Sequence, residues 1–181
     1  WSLWVLGRSA DVVLFTIDPW VRRYRHWFPN AAVHHLPVGS NIPEVIMTRP
    51  EAKERLGIGQ EMVVLGLFSR INTPESLRMI REAVQAVKNV GRHPFILYVG
   101  SQGQVASEAF SDVPLIAEGP LPPDEVSRRL RAMDIYLLPY ADGISTRRTS
   151  FILGLQHGLT MIGTRGPWTD EILRRQDGSA F

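Results

Sequence analysis

The stretch Tyr140-Ala141-Asp142-Gly143-Ile144-Ser145-Thr146-Arg147-Arg148-Thr149-Ser150 gathers an acid, a glycine, several hydroxyls and two adjacent arginines. Backbone N–H groups in a Gly-containing turn that leads into a helix can surround a phosphate. A guanidinium binds phosphate oxygens in a fork, so Arg147 or Arg148 could neutralise a diphosphate held there. Arginine is unfavourable beside a helix N-terminus unless an anion is present, which argues for an anion at this point. Asp142 repels phosphate. Its expected partners are hydroxyls, such as those of a sugar, with an Asx turn or helix cap as the alternative role.

A second candidate is Ser69-Arg70-Ile71-Asn72-Thr73-Pro74, where Arg70 stands just before a proposed helix start. A helix N-terminus offers unpaired N–H groups and partial positive charge, and Arg70 adds a charged donor. The histidines His26, His34, His35, His93 and His157 show no metal-binding spacing. His157, before Gly158, reads as a structural residue at a helix end. Arg22-Arg23, Arg128-Arg129 and Arg174-Arg175 read as solvated helix faces. Gly100-Ser101-Gln102-Gly103 lacks the dinucleotide fingerprint and reads as a tight turn.

The elements that position these residues alternate. Strands are expected at Val12–Ile17, Val33–Val38, Val63–Phe68, Ile96–Val99, Leu115–Ala117, Ile135–Leu138 and Met161–Gly163. Most are continuously apolar, as strands buried on both faces of a parallel sheet are. Helices are expected after Asp18-Pro19, Thr73-Pro74 and Pro122-Pro123, each with proline at the first helical position. Others are expected over Pro50–Leu56, from a cap at Ser145 or Thr146 to Gly158, and after Gly166-Pro167. Alternation with short links predicts a Rossmann-like, doubly wound parallel α/β sheet. A break at Gly39-Ser40-Asn41-Ile42-Pro43 divides the chain into 1–38, the tail of one domain, and 39–181, most of the next. Asp177–Phe181 reads as a turn entering a strand.

The chain has 181 residues, 44% hydrophobic and 21% charged, with a net charge of +2 and no cysteine. This length holds one full α/β domain. The composition excludes disulfides, thiolate metal sites and a cysteine nucleophile, and fits a cytoplasmic protein. The small charge does not call for nucleic acid. No apolar run reaches the length of a membrane span, which leaves contact with a membrane only at its surface. The opening Trp1-Ser2-Leu3-Trp4 has neither Met nor a signal-peptide layout, so the chain is expected to be part of a longer protein.

The order of elements and motifs resembles the C-terminal domain of GT-B glycosyltransferases, in the large retaining family that includes glycogen and sucrose synthases. Ala10-Asp11-Val12-Val13 with Thr16 looks like the last strand of that family's N-terminal domain. Leu36-Pro37-Val38-Gly39-Ser40-Asn41 looks like its interdomain crossing. Glu118-Gly119-Pro120-Leu121-Pro122, followed by Val126, looks like its base-binding loop. Ala132-Met133-Asp134-Ile135, Leu138-Pro139, and His157-Gly158-Leu159 with Ile162 and Thr164 match its remaining signatures.

The resemblance implies transfer of a sugar from a nucleoside-diphosphate sugar, with retained configuration, to an acceptor held by a preceding domain. Neither cofactor nor metal is implied. Asp142 and Ser150 occupy the positions of two family glutamates, the first on the donor sugar and the second on the ribose. Arg70 matches the family arginine on the diphosphate. Glu75 stands where the family has a lysine, and Arg148 is the candidate to replace that charge. The implied catalytic residues are Asp142 and Arg70. The implied donor site comprises Arg70, Asn72, Glu118, Gly119, Leu121, Asp142, Gly143, Ile144, Ser145, Arg147, Arg148 and Ser150. Rival readings are a non-catalytic module of the same fold and a related sugar-nucleotide epimerase.

Overall fold

A computed structural model describes residues 2–68, 70, 71 and 73–174, without the side chains of residues 2–4 and 6. In chain order the elements are α1 (Ser2–Ser9), β1 (Val12–Phe15), α2 (Asp18–Tyr24), a 3-10 turn (Arg25–Trp27), β2 (Ala32–His35), α3 (Arg49–Arg55), β3 (Met62–Phe68) and α4 (Pro74–Asn89). There follow β4 (His93–Val99), α5 (Gly103–Ala109), β5 (Leu115–Glu118), α6 (Pro123–Arg131), β6 (Ile135–Leu138), α7 (Thr149–Gln156), β7 (Met161–Gly163) and α8 (Glu171–Arg174).

The strands form two sheets. β1 and β2 pair in parallel, and a five-stranded parallel sheet has the order β5-β4-β3-β6-β7. The second sheet is mixed with helices on both faces, the doubly wound α/β class expected from the sequence. Its central strands send alternate residues to opposite sides. Leu65, Leu67, Ile96 and Tyr98 pack with Ile80, Val84 and Val87 of α4 and Phe110 beyond α5. Val64, Leu97 and Val99 pack with Ala52 of α3, Leu130 of α6 and Phe151 and Leu153 of α7. Removing such a buried leucine side chain typically costs about 2–5 kcal/mol. Gly66 brings β3 against α6's end, because a Cβ there would lie 2.0 Å from the Met133 sulfur.

Local chemistry sets the helix starts. Thr73 caps α4 reciprocally with Ser76, and Thr48 caps α3 with Glu51. Gly57 and Gly158 follow α3 and α7 at positive φ, 65° and 61°. Lys53 of α3 is buried and reaches Asp134 at 2.7 Å and the Met62 carbonyl at 2.8 Å. Val64 N–H also donates to Asp134, at 2.8 Å, and ties that pair to β3.

Several expected boundaries move. β2 ends at His35 rather than Val38: Leu36 N–H still reaches the Phe15 carbonyl at 2.8 Å, but Pro37 has no N–H to continue the ladder. β1 ends at Phe15, and Ile17 is the buried residue preceding α2. Neither Ser145 nor Thr146 caps α7, which starts at Thr149 behind Arg148. The Thr146 hydroxyl is occupied elsewhere, by Asp170, His35 and the Thr16 carbonyl. Gly166-Pro167 opens no helix; the chain turns there until α8, with Gly166 N–H bonded to Thr169 Oγ1 at 3.0 Å. Gly103 begins a helix instead of closing a simple turn. The end expected at Asp177–Phe181 and Arg175 lie outside the described residues.

Candidate functional site

Strand order reverses between β3 and β6. From β3 the chain winds outward through β4 and β5, then returns to the other side of β3 as β6. Because all these strands are parallel, the loops after β3 and β6 emerge side by side at one edge. Ligands of open α/β sheets bind in the crevice at such a switch point. Arg70 follows β3, and Asp142–Arg148 follow β6.

The β6–α7 loop is tightly built. Gly143 has φ +90°, and a Cβ on it would meet Thr169 Oγ1 at 2.2 Å and Gly166 N at 2.5 Å. A Cβ on Gly166 would in turn meet the Asp142 carbonyl carbon at 2.4 Å. The loops after β6 and β7 thus touch backbone to backbone, and only glycine fits at the contact. Trp168 N–H donates to the Asp142 carbonyl at 3.1 Å, and Ile144 N–H to the Thr164 carbonyl at 2.9 Å.

The acid and the arginines of this loop meet each other. Arg148 donates to Asp142 Oδ1 and Arg147 to Oδ2. The Arg148 guanidinium also lies over the Tyr140 ring, 3.7 Å from its centroid, and Arg147 over Trp20 at 5.5 Å. These are cation–π contacts. Ser150 is buried and hydrogen-bonds the Tyr140 hydroxyl. The expected nest of free N–H groups is largely used within the fold. Gly143 N–H goes to Tyr140, Arg148 N–H to Ser145, and Thr146 N–H to Asp170 at 2.6 Å. Ser145 Oγ and Arg147 Nε are buried without a hydrogen-bond partner among the described residues.

Arg70 is exposed and makes no ion pair among the described residues. Its loop is fixed by Ile71 N–H donating to Gln102 Oε1 at 2.8 Å, and Gln102 N–H reaches the Tyr98 hydroxyl at 3.0 Å. Gln102 was expected in a tight turn, with a minor ligand contact as its possible role; an amide side chain after the neighbouring strand was the signal for the loop contact it makes. Asn72 lies outside the described residues. Glu75 is exposed in the first turn of α4, where a carboxylate suits the helix dipole.

At the same edge, Glu118 ends β5. Its carboxylate accepts from Arg129 Nε and Nη2, both at 2.8 Å. That hydrogen bonding holds the Glu118 carboxyl below the usual carboxylate range and raises the Arg129 guanidinium. Arg129 is therefore no solvated residue: its side chain is 18% exposed and also pairs with Glu125. Gly119 is exposed, and Leu121 is partly buried against the core.

Sequence reasoning missed an interlock beneath the loop. Asp170 is fully buried and accepts from Thr146 N–H, Thr146 Oγ1 and Asp18 N–H, the last at 3.1 Å. His35 bridges Thr146 Oγ1 at 2.8 Å and Asp18 at 3.3 Å. Val38 N–H adds a bond to the Thr146 carbonyl at 3.1 Å. Residues 16–38 and the β6–α7 loop are thereby joined through polar groups too far apart in sequence to be paired by pattern. Among the described residues no cluster of His, Asp and Glu is arranged to hold a metal ion. None of their helices is long and apolar enough to cross a membrane.

The parallel sheet, its reversal and the loops at its edge define a Rossmann-like domain. A sucrose-phosphate synthase from Thermosynechococcus elongatus shares this fold, with TM-score 0.59 and 15% identity over 87% of this chain and 41% of that one. So does the pneumococcal O-GlcNAc transferase GtfA, solved in complex with UDP and GlcNAc, with TM-score 0.59 and 14% identity over 98% of this chain and 34% of that one. Both are glycosyltransferases, and the chain spans well under half the length of each. No family model matches the chain, and no curated protein matches it.

Proposed function

We propose that the chain is the nucleotide-sugar-binding part of a glycosyltransferase. The observation that carries this reading is that the Arg70 loop and the Asp142–Arg148 loop leave adjacent parallel strands at the switch point of the sheet. Arg70 and Arg148 would face the donor diphosphate from two sides. Asp142 would accept from sugar hydroxyls, and the Glu118–Leu121 edge would take the base. The sugar leaves the diphosphate for an acceptor held by a further domain, and the guanidinium groups stabilise the departing charge. In this reading residues 1–38 close the acceptor domain and no metal takes part. Two features favour a non-catalytic module as the second reading. Ser150, the proposed ribose contact, engages Tyr140, and Glu75 supplies no cation.

Calorimetric titration of UDP, GDP and ADP into the full-length polypeptide tests the reading. A charge-assisted hydrogen bond contributes about 1.5–3 kcal/mol. Arg70→Ala and Arg148→Ala should therefore each weaken binding by about 10- to 100-fold. Arg78→Ala, on the exposed face of α4, should change nothing. Absence of binding to the wild type, or an equal loss in Arg78→Ala, overturns the donor-site assignment.

A further inference from the structure

We propose that Asp142 is an internal stand-in for the donor diphosphate, so that ligand binding is an exchange of anions. This rests in part on the reading above, but its core is the geometry of the loop. Each Asp142 oxygen is taken by a different guanidinium, Oδ1 by Arg148 and Oδ2 by Arg147. Neither arginine depends on Asp142 alone for its position. Arg148 is stacked on Tyr140 and donates through Nε to the Gly143 carbonyl at 3.3 Å. Arg147 lies over Trp20, whose ring meets Trp168 edge-on at 6.1 Å. The paired cations would stay in place if the carboxylate moved away.

The site is also open to exchange. The side chains of Asp142 and Arg147 are each 29% exposed and that of Arg148 is 23% exposed, so solvent reaches the pair. Ser145 Oγ, fully buried in the same loop, and Arg147 Nε have hydrogen-bonding capacity that no described residue uses. A buried polar group without a partner is costly, and a ligand or water is its usual remedy. A diphosphate carries more negative charge and more acceptor oxygens than one carboxylate, so it can displace Asp142 from both arginines.

Displacement leaves a carboxylate beside the bound phosphates. A bare diphosphate gives that carboxylate no donor and is repelled by it. A sugar attached to the diphosphate offers hydroxyls that can donate to it. Asp142 thus penalises product nucleotide and pyrophosphate relative to the sugar nucleotide, which makes it a specificity-determining residue of the site.

The test compares inorganic pyrophosphate and the nucleoside diphosphates UDP, GDP and ADP on wild type, Asp142→Asn, Asp142→Glu and Asp112→Asn, by calorimetry on the full-length polypeptide. Asn keeps the shape and loses the charge. It should tighten pyrophosphate about tenfold, equivalent to about 1.4 kcal/mol. Glu keeps the charge and should stay near wild type. Asp112, paired with Arg81 away from the site, controls for net charge and its variant should show no change. Unchanged or weaker pyrophosphate binding in Asp142→Asn overturns the proposal, as does an equal gain in Asp112→Asn. A gain for pyrophosphate without binding of any nucleotide upholds the exchange and removes the nucleotide reading. Nucleotide binding that is equal in wild type and Asp142→Asn does the reverse.

Discussion

His157 shows how a single side chain joins three elements and fixes a pH dependence. Its Nδ1–H donates to the Leu153 carbonyl at 2.9 Å, which leaves Nε2 to accept from the Ser127 hydroxyl at 2.9 Å. That hydroxyl in turn accepts from Val45 N–H at 2.9 Å. The arrangement uses a neutral imidazole, and burial lowers the His157 pKa below the usual 6.5. A folded-state pKa below the unfolded value means stability is fully present above about pH 6.5 and falls as pH drops through the folded value. Urea denaturation between pH 7.5 and 5 should therefore show a fall in stability for wild type that is reduced in His157→Gln. Equal pH slopes for the two proteins would remove His157 as the cause. At pH 7.5, His157→Gln should cost about 1–3 kcal/mol, because one buried partner is left unpaired. The structural role of His157 was legible from its place before Gly158. Arg129 was not legible in the same way. On a helical wheel it falls among polar neighbours, and only the arrival of Glu118 from β5 makes it a partly buried ion-pair partner. Long side chains hide this, since an arginine stem can be covered while its head seeks charge.

At the scale of elements, the strands of the main sheet were readable because each is an apolar run too short for a helix. The starts of α4 and α6 were readable because proline stands at the first turn. The two loops that shape the site were not. Ser145 and Thr146 have the residue types of a helix cap, and Gly166-Pro167 those of a helix start, yet both stretches serve a contact between loops. Their hydroxyls and glycines answer to partners about twenty positions away, which no local pattern records. The Gly166–Asp142 approach is the sharpest case. A methyl group at Gly166 would lie 2.5 Å from the Asp142 carbonyl oxygen and 2.6 Å from Gly143 N, which are backbone atoms that cannot rotate aside. Gly166→Ala should thus cost about 1–3 kcal/mol by overpacking and shift Asp142. Thermal denaturation reads the first effect. Pyrophosphate titration reads the second, since a displaced loop no longer presents Arg147 and Arg148 together. A variant with wild-type stability would show that the loops can separate freely, and the site would then lack its rigid support.

At the scale of the whole molecule, the two sheets differ in how they are covered. Both faces of the five-stranded sheet are covered along its central strands β3, β4 and β6. The β1–β2 pair is covered on one face, where Val33 is buried, and bare on the other, where Val12 and Leu14 are 55% and 53% exposed. Leu36 and Trp27 are also exposed, at 53% and 46%. Parallel strands are found almost only with both faces covered, and an isolated strand pair is marginal in water. The expectation is that the bare face packs on the rest of a longer polypeptide, in keeping with the proposal that residues 1–38 close a preceding domain. Stability measured in two contexts decides this. In the 181-residue chain, Val12→Thr and Leu14→Thr should each change unfolding free energy by less than about 0.5 kcal/mol, as surface substitutions do. In the longer polypeptide the same changes should each cost about 1.5–3 kcal/mol, the usual value of burying such a side chain. Binding of an apolar dye should follow the same pattern, strong for the shorter chain and weak for the longer one. Small effects in both contexts would mean the face stays open to solvent, and residues 1–38 would then be an appendage of the domain built on the five-stranded sheet rather than the edge of another.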